Sequence, residues 1–292
     1  MNCFFVSDLH GDTGKYQKLF QIIERDTPEA IFLGGDLLPS YLIPPSDPEY
    51  DHVDFVNGFL AEKLKKLKAG LGKRYHRLFL ILGNDDGRFE EAAILDVATT
   101  GIWEYMHDRR LRIGKYPVYG YAYVPPTPFR LKDWERYDVS RYTERGCIPP
   151  EEGAHSHPLS NSEVMYSTIA DDLIKLVGDD PLDEAVFLFH SPPYQTNLDR
   201  AALDGKKIDH APLDVHVGSI AIRRFIEDRQ PLITLHGHVH ESARITGSWR
   251  EQMGRTHAFT AAHDGPELAV VRFDPEHPEA ASRVLVEIPN GN

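Results

Sequence analysis

Five short apolar runs stand out along the chain, at residues 3–6, 30–33, 78–82, 185–189 and 232–235. None alternates apolar with polar positions, so each predicts a strand covered on both faces. Segments with apolar residues at helical spacing lie between them. Residues 16–25 set Leu19, Phe20, Ile22 and Ile23 against a charged opposite side. Residues 53–71 place Phe55, Phe59, Leu60, Leu64 and Leu67 on one stripe, with Lys63, Lys65, Lys66 and Lys68 on a solvated face. Residues 161–177 and 217–228 predict two further helices. Such alternation predicts a largely parallel α/β arrangement with right-handed crossovers. The last third differs. Residues 257–262, 268–273 and 283–288 read as strands with no helix between them, which predicts a second, more antiparallel sheet.

Three stretches lack either period: the proline-rich 39–48, then 125–158 and 194–212. The second mixes Phe129, Trp134, Tyr137 and Tyr142 with Arg130, Lys132, Arg136 and Arg141. Long loops in a compact domain serve as lids or binding loops. The expectation is one domain over residues 1–292, with a lid-like insertion at about 125–160. Arg130, Lys132 and Arg136 are its candidate phosphate-binding residues.

Composition narrows the field. No apolar run is long enough to cross a bilayer. The opening MNCFFVSDLHG has no basic leader, and Asp8 interrupts its apolar run, so a cytoplasmic protein without membrane attachment is expected. Two distant cysteines, Cys3 and Cys147, form no disulfide framework, which fits a reducing compartment. A net charge of -13 opposes a partner such as long nucleic acid, which demands a basic surface. It does not oppose a small phosphorylated substrate such as a nucleotide, because bound cations supply positive charge locally. The sequence leaves open whether the chain forms an oligomer.

The chemistry lies at the C-terminal end of each apolar run. The five runs end in Asp8-Leu9-His10-Gly11, Gly34-Gly35-Asp36, Gly83-Asn84-Asp85-Asp86, His190-Ser191-Pro192-Pro193 and His236-Gly237-His238-Val239-His240. Parallel strands bring their C-terminal ends to one edge, where ligand sites of α/β sheets form. Carboxylates and imidazoles together suit Mn, Fe, Ni or Zn. Seven potential ligands exceed one tetrahedral ion and suit two ions sharing a carboxylate. Singly, each residue has a plainer reading. Asp8 or Asp36 alone reads as a helix cap, Asn84 as a turn, and His190 or His236 as a satisfied buried histidine. Five blocks in order, each at a strand end, outweigh those readings.

The ordered set DLHG, GGD, GND, HSPP and GHVH resembles the signature of the calcineurin-like metallophosphoesterases, from Asp8 to His240. The flanking VPPTPFRLKDWER, HSPPYQTNLD and HVGSIAIRRFIE resemble a prokaryotic subgroup of cyclic-phosphodiesterase-like phosphoesterases. The resemblance implies a four-layered α/β/β/α sandwich of two mixed sheets flanked by helices. It implies two divalent transition-metal ions, with manganese among the candidates. Asp8, His10 and His240 would hold the first, Asn84, His190 and His238 the second, and Asp36 both. It also implies hydrolysis of a P–O bond, with phosphodiesters favoured, by hydroxide formed from water acidified by the metals.

One position departs from the family's frequent pattern. Many members carry histidine after the asparagine, where it serves the leaving group; this chain has Asp85. An ordinary aspartate, with a pKa of about 3.9, is a poor acid at neutral pH. Asp85 and His216 are the candidate catalytic residues, with His210 as a second substitute for the missing histidine. His216 otherwise caps the helix that starts near Gly218. Alternatively the metals suffice for good leaving groups, or the protein is a metal-containing nucleotide or phospho-ligand binding module with little turnover.

Overall fold

The computed structural model describes residues 1–40 and 54–288. The proline-rich stretch 39–48 therefore lies, beyond Ser40, outside the described residues. Two six-stranded mixed sheets, flanked by helices, form an α/β/β/α sandwich. The first sheet contains β1 (Cys3–Val6), β2 (Ala30–Gly34), β3 (Arg77–Ile81) and β4 (Glu104–Tyr105), all mutually parallel. The second sheet is built around β7 (Val186–Phe189) and β10 (Ile233–His236), also parallel to each other. All four residues of β1, β7 and β10 are buried, as expected of strands packed on both faces.

Aromatic side chains pack within the first sheet and between the two sheets. Phe32 of β2 stacks on Phe79 of β3, with ring centroids 5.1 Å apart. Phe273 of β13 (Leu268–Phe273) meets Phe259 of β12 (Thr256–Thr260) across the sandwich at 6.2 Å. Truncating one such buried ring to alanine costs about 3–5 kcal/mol. Helix α1 (Thr13–Asp26) covers the first sheet and buries Tyr16, Leu19 and Ile23. Helix α2 (Glu62–Leu71), which packs beside α1, is preceded by a wide π-type turn, Phe55–Ala61. On the other side α6 (Ile220–Arg229) lays Phe225 on Phe187 and Phe189 of β7.

The structure corrects several expectations. The C-terminal strands do not form a sheet of their own. β12 joins the second sheet parallel to β10, whereas β13 pairs antiparallel with β1 in the first, and β14 (Ser282–Val286) pairs with β13. Their apolar residues thereby extend both sheets and join the shared core. Residues 161–177 form two helices, Asn161–Tyr166 and Ile169–Val177, broken where Ser167 and Thr168 are extended and Thr168 caps the second. The hairpin of β5 (Arg109–Ile113) and β6 (Tyr116–Tyr121) was not legible. β5 is an exposed, arginine-rich edge strand, and charge on an edge conceals it from an apolar reading.

No helix among the described residues is long and apolar enough to cross a membrane.

Candidate metal centre

The ends of β1, β2 and β3 meet the ends of β7 and β10 at one edge of the sandwich. Two groups of donors form there. Asp8, His10, Asp36 and His240 make one; Asp36, His190 and His238 make the other, with ligand atoms within 4.8 Å of one another in each. Asp36 belongs to both. Asn84 joins the second group, its Oδ1 lying 3.1 Å from His190 Nε2.

Backbone geometry aims these side chains. Asp8, His10, Asp36 and His238 all take left-handed φ values, 58°, 45°, 51° and 74°. Such a conformation costs a non-glycine residue about 1–3 kcal/mol and persists only where its surroundings impose it. At His238 it turns the chain directly after β10, so that the imidazoles at 238 and 240 reach different groups. The glycines of the motifs give these residues room. A Cβ on Gly35 would come 2.5 Å from His190 Nδ1, and one on Gly237 would come 2.8 Å from Asp8 Oδ2. The cap of α1 is Asp12, whose carboxylate accepts from Lys15 N, which leaves Asp8 without that task.

The donors orient one another. His190 Nδ1–H donates to the Gly34 carbonyl at 2.8 Å and thereby turns Nε2 toward Asp36, 3.3 Å away. Asp8 Oδ1 accepts from the His238 backbone N–H at 2.9 Å and lies 3.2 Å from His240 Nε2. Its other oxygen, Oδ2, is buried with no partner among the described residues. His10 Nε2 and His240 Nε2 face each other at 3.2 Å. A buried unpartnered carboxylate oxygen, together with imidazole nitrogens converging on the same point, is the environment a divalent cation satisfies. The residues therefore fit a metal pair.

The charges agree with that reading. Burial opposes ionisation of Asp8, but its bond to His240 and that side chain's charge hold the carboxyl down at about 2. Burial likewise raises Asp36, yet His190 and His10 outweigh it and keep the carboxyl well below its usual range. Burial works against the cations too. The Asp85 bond and the charges of Asp36 and Asp8 nonetheless lift His10 to about 9, and Asp36 lifts His190 to about 9. His238, desolvated beside His190, falls to about 3. Both imidazoles are thus held toward their protonated forms, and binding of a metal would displace those protons.

The remaining candidates are distributed unevenly. Asp85 Oδ2 takes the Nδ1–H of His10 at 3.2 Å, so this carboxylate is engaged with a donor histidine. Asp86 is fully buried and accepts from the backbone N–H groups of Leu37, Leu38 and Gly83, which fixes the two strand-end loops together. His236 is satisfied at both ring nitrogens, by the Ser191 carbonyl and the Thr234 hydroxyl, and stands outside the donor groups. His216 does not cap α6; Ser219 does, accepting from Ile222 N. Instead His216 Nδ1–H donates to Asp199 Oδ1 at 2.8 Å, and His216 lines a cavity that His238 also lines. His210 lies on the tight turn of the hairpin Lys207–Ile208/Ala211–Pro212, outside the lining of that cavity.

Two of the candidate phosphate-binding residues are engaged with other partners. Lys132 is completely buried, its ammonium held by Glu135 at 2.5 Å and by the Thr127 carbonyl at 2.8 Å. Arg136 pairs with Asp172 and Glu163 and stacks on Tyr123, its guanidinium 4.0 Å from the ring centroid. Both cations serve the packing of the insertion. Arg130 is exposed and does not line the cavity. Asp199 was not among the residues the sequence singled out. It stands in the HSPPYQTNLD block, but an aspartate in a polar loop carries no local mark of its distant partner.

The fold and its donor set define a metal-binding two-sheet sandwich. The chain belongs to the calcineurin-like phosphoesterase family, whose sequence model matches residues 1–242. Two solved structures share the fold at low identity. One superposes with a TM-score of 0.60 at 16% identity, over 98% of this chain and 99% of its own. TT1561 of Thermus thermophilus gives 0.54 at 16% identity, again over 98% and 99%. An archaeal phosphodiesterase lies further off, at 0.44 and 10% identity, over 98% and 100%. No curated protein matches the chain in sequence.

Proposed function

We propose that the protein is a dinuclear-metal-dependent phosphoesterase that acts on phosphodiesters, in the manner of the cyclic-phosphodiesterase-like subgroup its flanking motifs resemble. The observation that carries this reading is Asp36, one carboxylate shared by two groups of donors. Asp8, His10 and His240 would hold one ion, Asn84, His190 and His238 the other, and Asp36 both. Mn, Fe, Ni or Zn suits this mixture of oxygen and imidazole nitrogen. When bound, such a pair supplies Lewis-acid polarisation of the phosphoryl group and acidification of water.

The chain's own residues supply positioning and proton handling. Asp85 accepts the Nδ1–H of His10 and so leaves Nε2 as the nitrogen that would take an ion, the role carboxylates commonly have behind ligating histidines. This gives Asp85 a use that the absence of a histidine at its position had left without an account. His216 supplies the leaving-group proton from Nε2. Its Nδ1 is committed to Asp199, and Asp199 is itself buried and held by the backbone N–H groups of Gln195, Thr196 and Gly218. A histidine oriented by a fixed carboxylate and facing a cavity beside the metal site has the geometry of a general acid.

The test is hydrolysis of bis-p-nitrophenyl phosphate by metal-stripped protein after addition of Mn, Ni, Zn or Mg. Turnover requires an added transition metal, and Asp36→Asn lowers it by more than about 100-fold and abolishes tight binding of at least one ion. Full activity in Asp36→Asn overturns the mechanism. Turnover at background with every metal, beside clear calorimetric binding of a nucleotide, identifies a binding module instead.

A further inference from the structure

A cavity of about 460 Å³ opens beside the metal centre, with His238 common to both. Two irregular stretches build it. The insertion contributes Pro125, Pro126 and Phe129, and the chain after β7 contributes Leu203, Ile208 and Leu213. They touch where Gly146 lies against Ile208, so closely that a Cβ on the glycine would come 2.5 Å from the isoleucine Cδ1. Among the described residues, eight large hydrophobic side chains are exposed, and three of them, Phe129, Tyr142 and Ile208, line this cavity. Exposed apolar side chains gathered at one concavity mark a ligand site, and the volume falls in the usual range for small organic ligands.

Charge restricts the ligand further. Asp138, Glu144, Asp214 and Glu241 line the cavity, against one guanidinium, Arg145, and the imidazoles of His216 and His238. The N-terminus of α6 would ordinarily attract an anion. Here Asp138 fills it, accepting from the backbone N–H groups of Ile220 and Ala221 and from the Ser219 hydroxyl. Asp214 takes the hydroxyl of Tyr194 and the backbone N–H of His216. Two of the cavity's carboxylates thus occupy the α6 N-terminus and the Tyr194 hydroxyl, and four carboxylates face one guanidinium, Arg145, so a second phosphate meets a net acidic wall.

We propose that this cavity receives the organic group of the substrate, so that the enzyme takes phosphoesters with one phosphate and a bulky apolar or aromatic organic part. Polyphosphates and nucleic-acid chains, which bring a second anion against these acidic walls, are rejected. The proposal rests on the metal centre being the phosphate site.

Phosphonates test it without turnover. Affinities of methyl-, phenyl- and 1-naphthylphosphonate are measured by calorimetry on the manganese-loaded full chain. Affinity rises at least about tenfold from methyl to naphthyl, the direction that burial of apolar surface dictates. Phenylene-1,4-diphosphonate, which adds one anion to the same ring, binds more weakly than phenylphosphonate. Leu213→Asp and Ile208→Asp each flatten the size series, and two variants guard against a single folding failure. Equal affinity across the series, or tighter binding of the diphosphonate, overturns the proposal. Turnover of bis-p-nitrophenyl phosphate without a size series retains the phosphoesterase and removes the pocket; a size series without turnover does the reverse.

Discussion

Two buried clusters of charge in this molecule differ in one respect. In the insertion, Lys132, Glu135, Arg136 and Asp133 are all answered. Lys132 meets Glu135, Glu135 accepts from the Thr127 N–H and hydroxyl, Arg136 meets Asp172, and Asp133 accepts from Arg88 N and Ser156. At the strand ends, by contrast, Asp8 keeps a buried oxygen without a partner and two imidazole nitrogens face each other. A closed set of charges is scaffold. An open set, held in left-handed backbone that has no stabilising reason of its own, is a site waiting for cations. Residue type alone does not separate them, since both clusters mix acids with bases.

Substitutions sharpen this contrast. The largest stability effect belongs to the closed cluster. Lys132→Met leaves Glu135 buried without its cation and costs about 3–5 kcal/mol in denaturant unfolding, whereas Lys132→Met with Glu135→Leu costs less. A double variant as damaged as the single one would mean that the pair itself, rather than the stranded charge, holds the insertion. On the functional side, His216→Ala lowers kcat by about 10²–10⁴ for esters with poor leaving groups and much less for p-nitrophenyl esters. Asp199→Asn acts in the same direction, because the imidazole loses the carboxylate that orients it. Equal losses across leaving groups would remove His216 from proton transfer. Asp85→Asn is milder, weakening metal binding by about 10–100-fold with no change in preference among leaving groups, as measured by metal titration of activity.

A further effect is a titration. In the metal-free protein the strand-end carboxylates hold His10 and His190 up near 9, from an ordinary 6.5. The sign follows from linkage. A folded pKa above the unfolded one gives stability that is full below about 6.5 and lost as pH rises through about 9. Metal-free protein therefore becomes less stable across that window, while metal-loaded protein does not follow it. At pH 7.5 manganese uptake releases protons, visible as a dependence of the calorimetric heat on buffer ionisation enthalpy. Heats independent of buffer would show the imidazoles to be neutral before metal arrives.

The strand-end donors were legible because each block combines two local signals, an apolar run buried on both faces and a polar tail that such a run cannot bury. The β5–β6 hairpin was not legible, because an arginine-rich edge strand exposes what an interior strand hides. The burial of Lys132 was not legible for a related reason. A basic residue in an aromatic loop looks the same in sequence whether it reaches for phosphate or for a glutamate three positions away.

The sequence by itself determined the five apolar runs and the carboxylate, amide and imidazole side chains at their ends. These properties follow from spacing over a few residues and from the chemistry of side chains. Tertiary structure alone decided how the C-terminal strands divide between two sheets, and that Asp85 stands behind His10 from 75 residues away. It alone placed Asp199 behind His216 and closed two loops into an acidic, apolar-walled cavity. Each of these joins residues through a contact that exists only once the two sheets have packed, and no local pattern encodes such a partner.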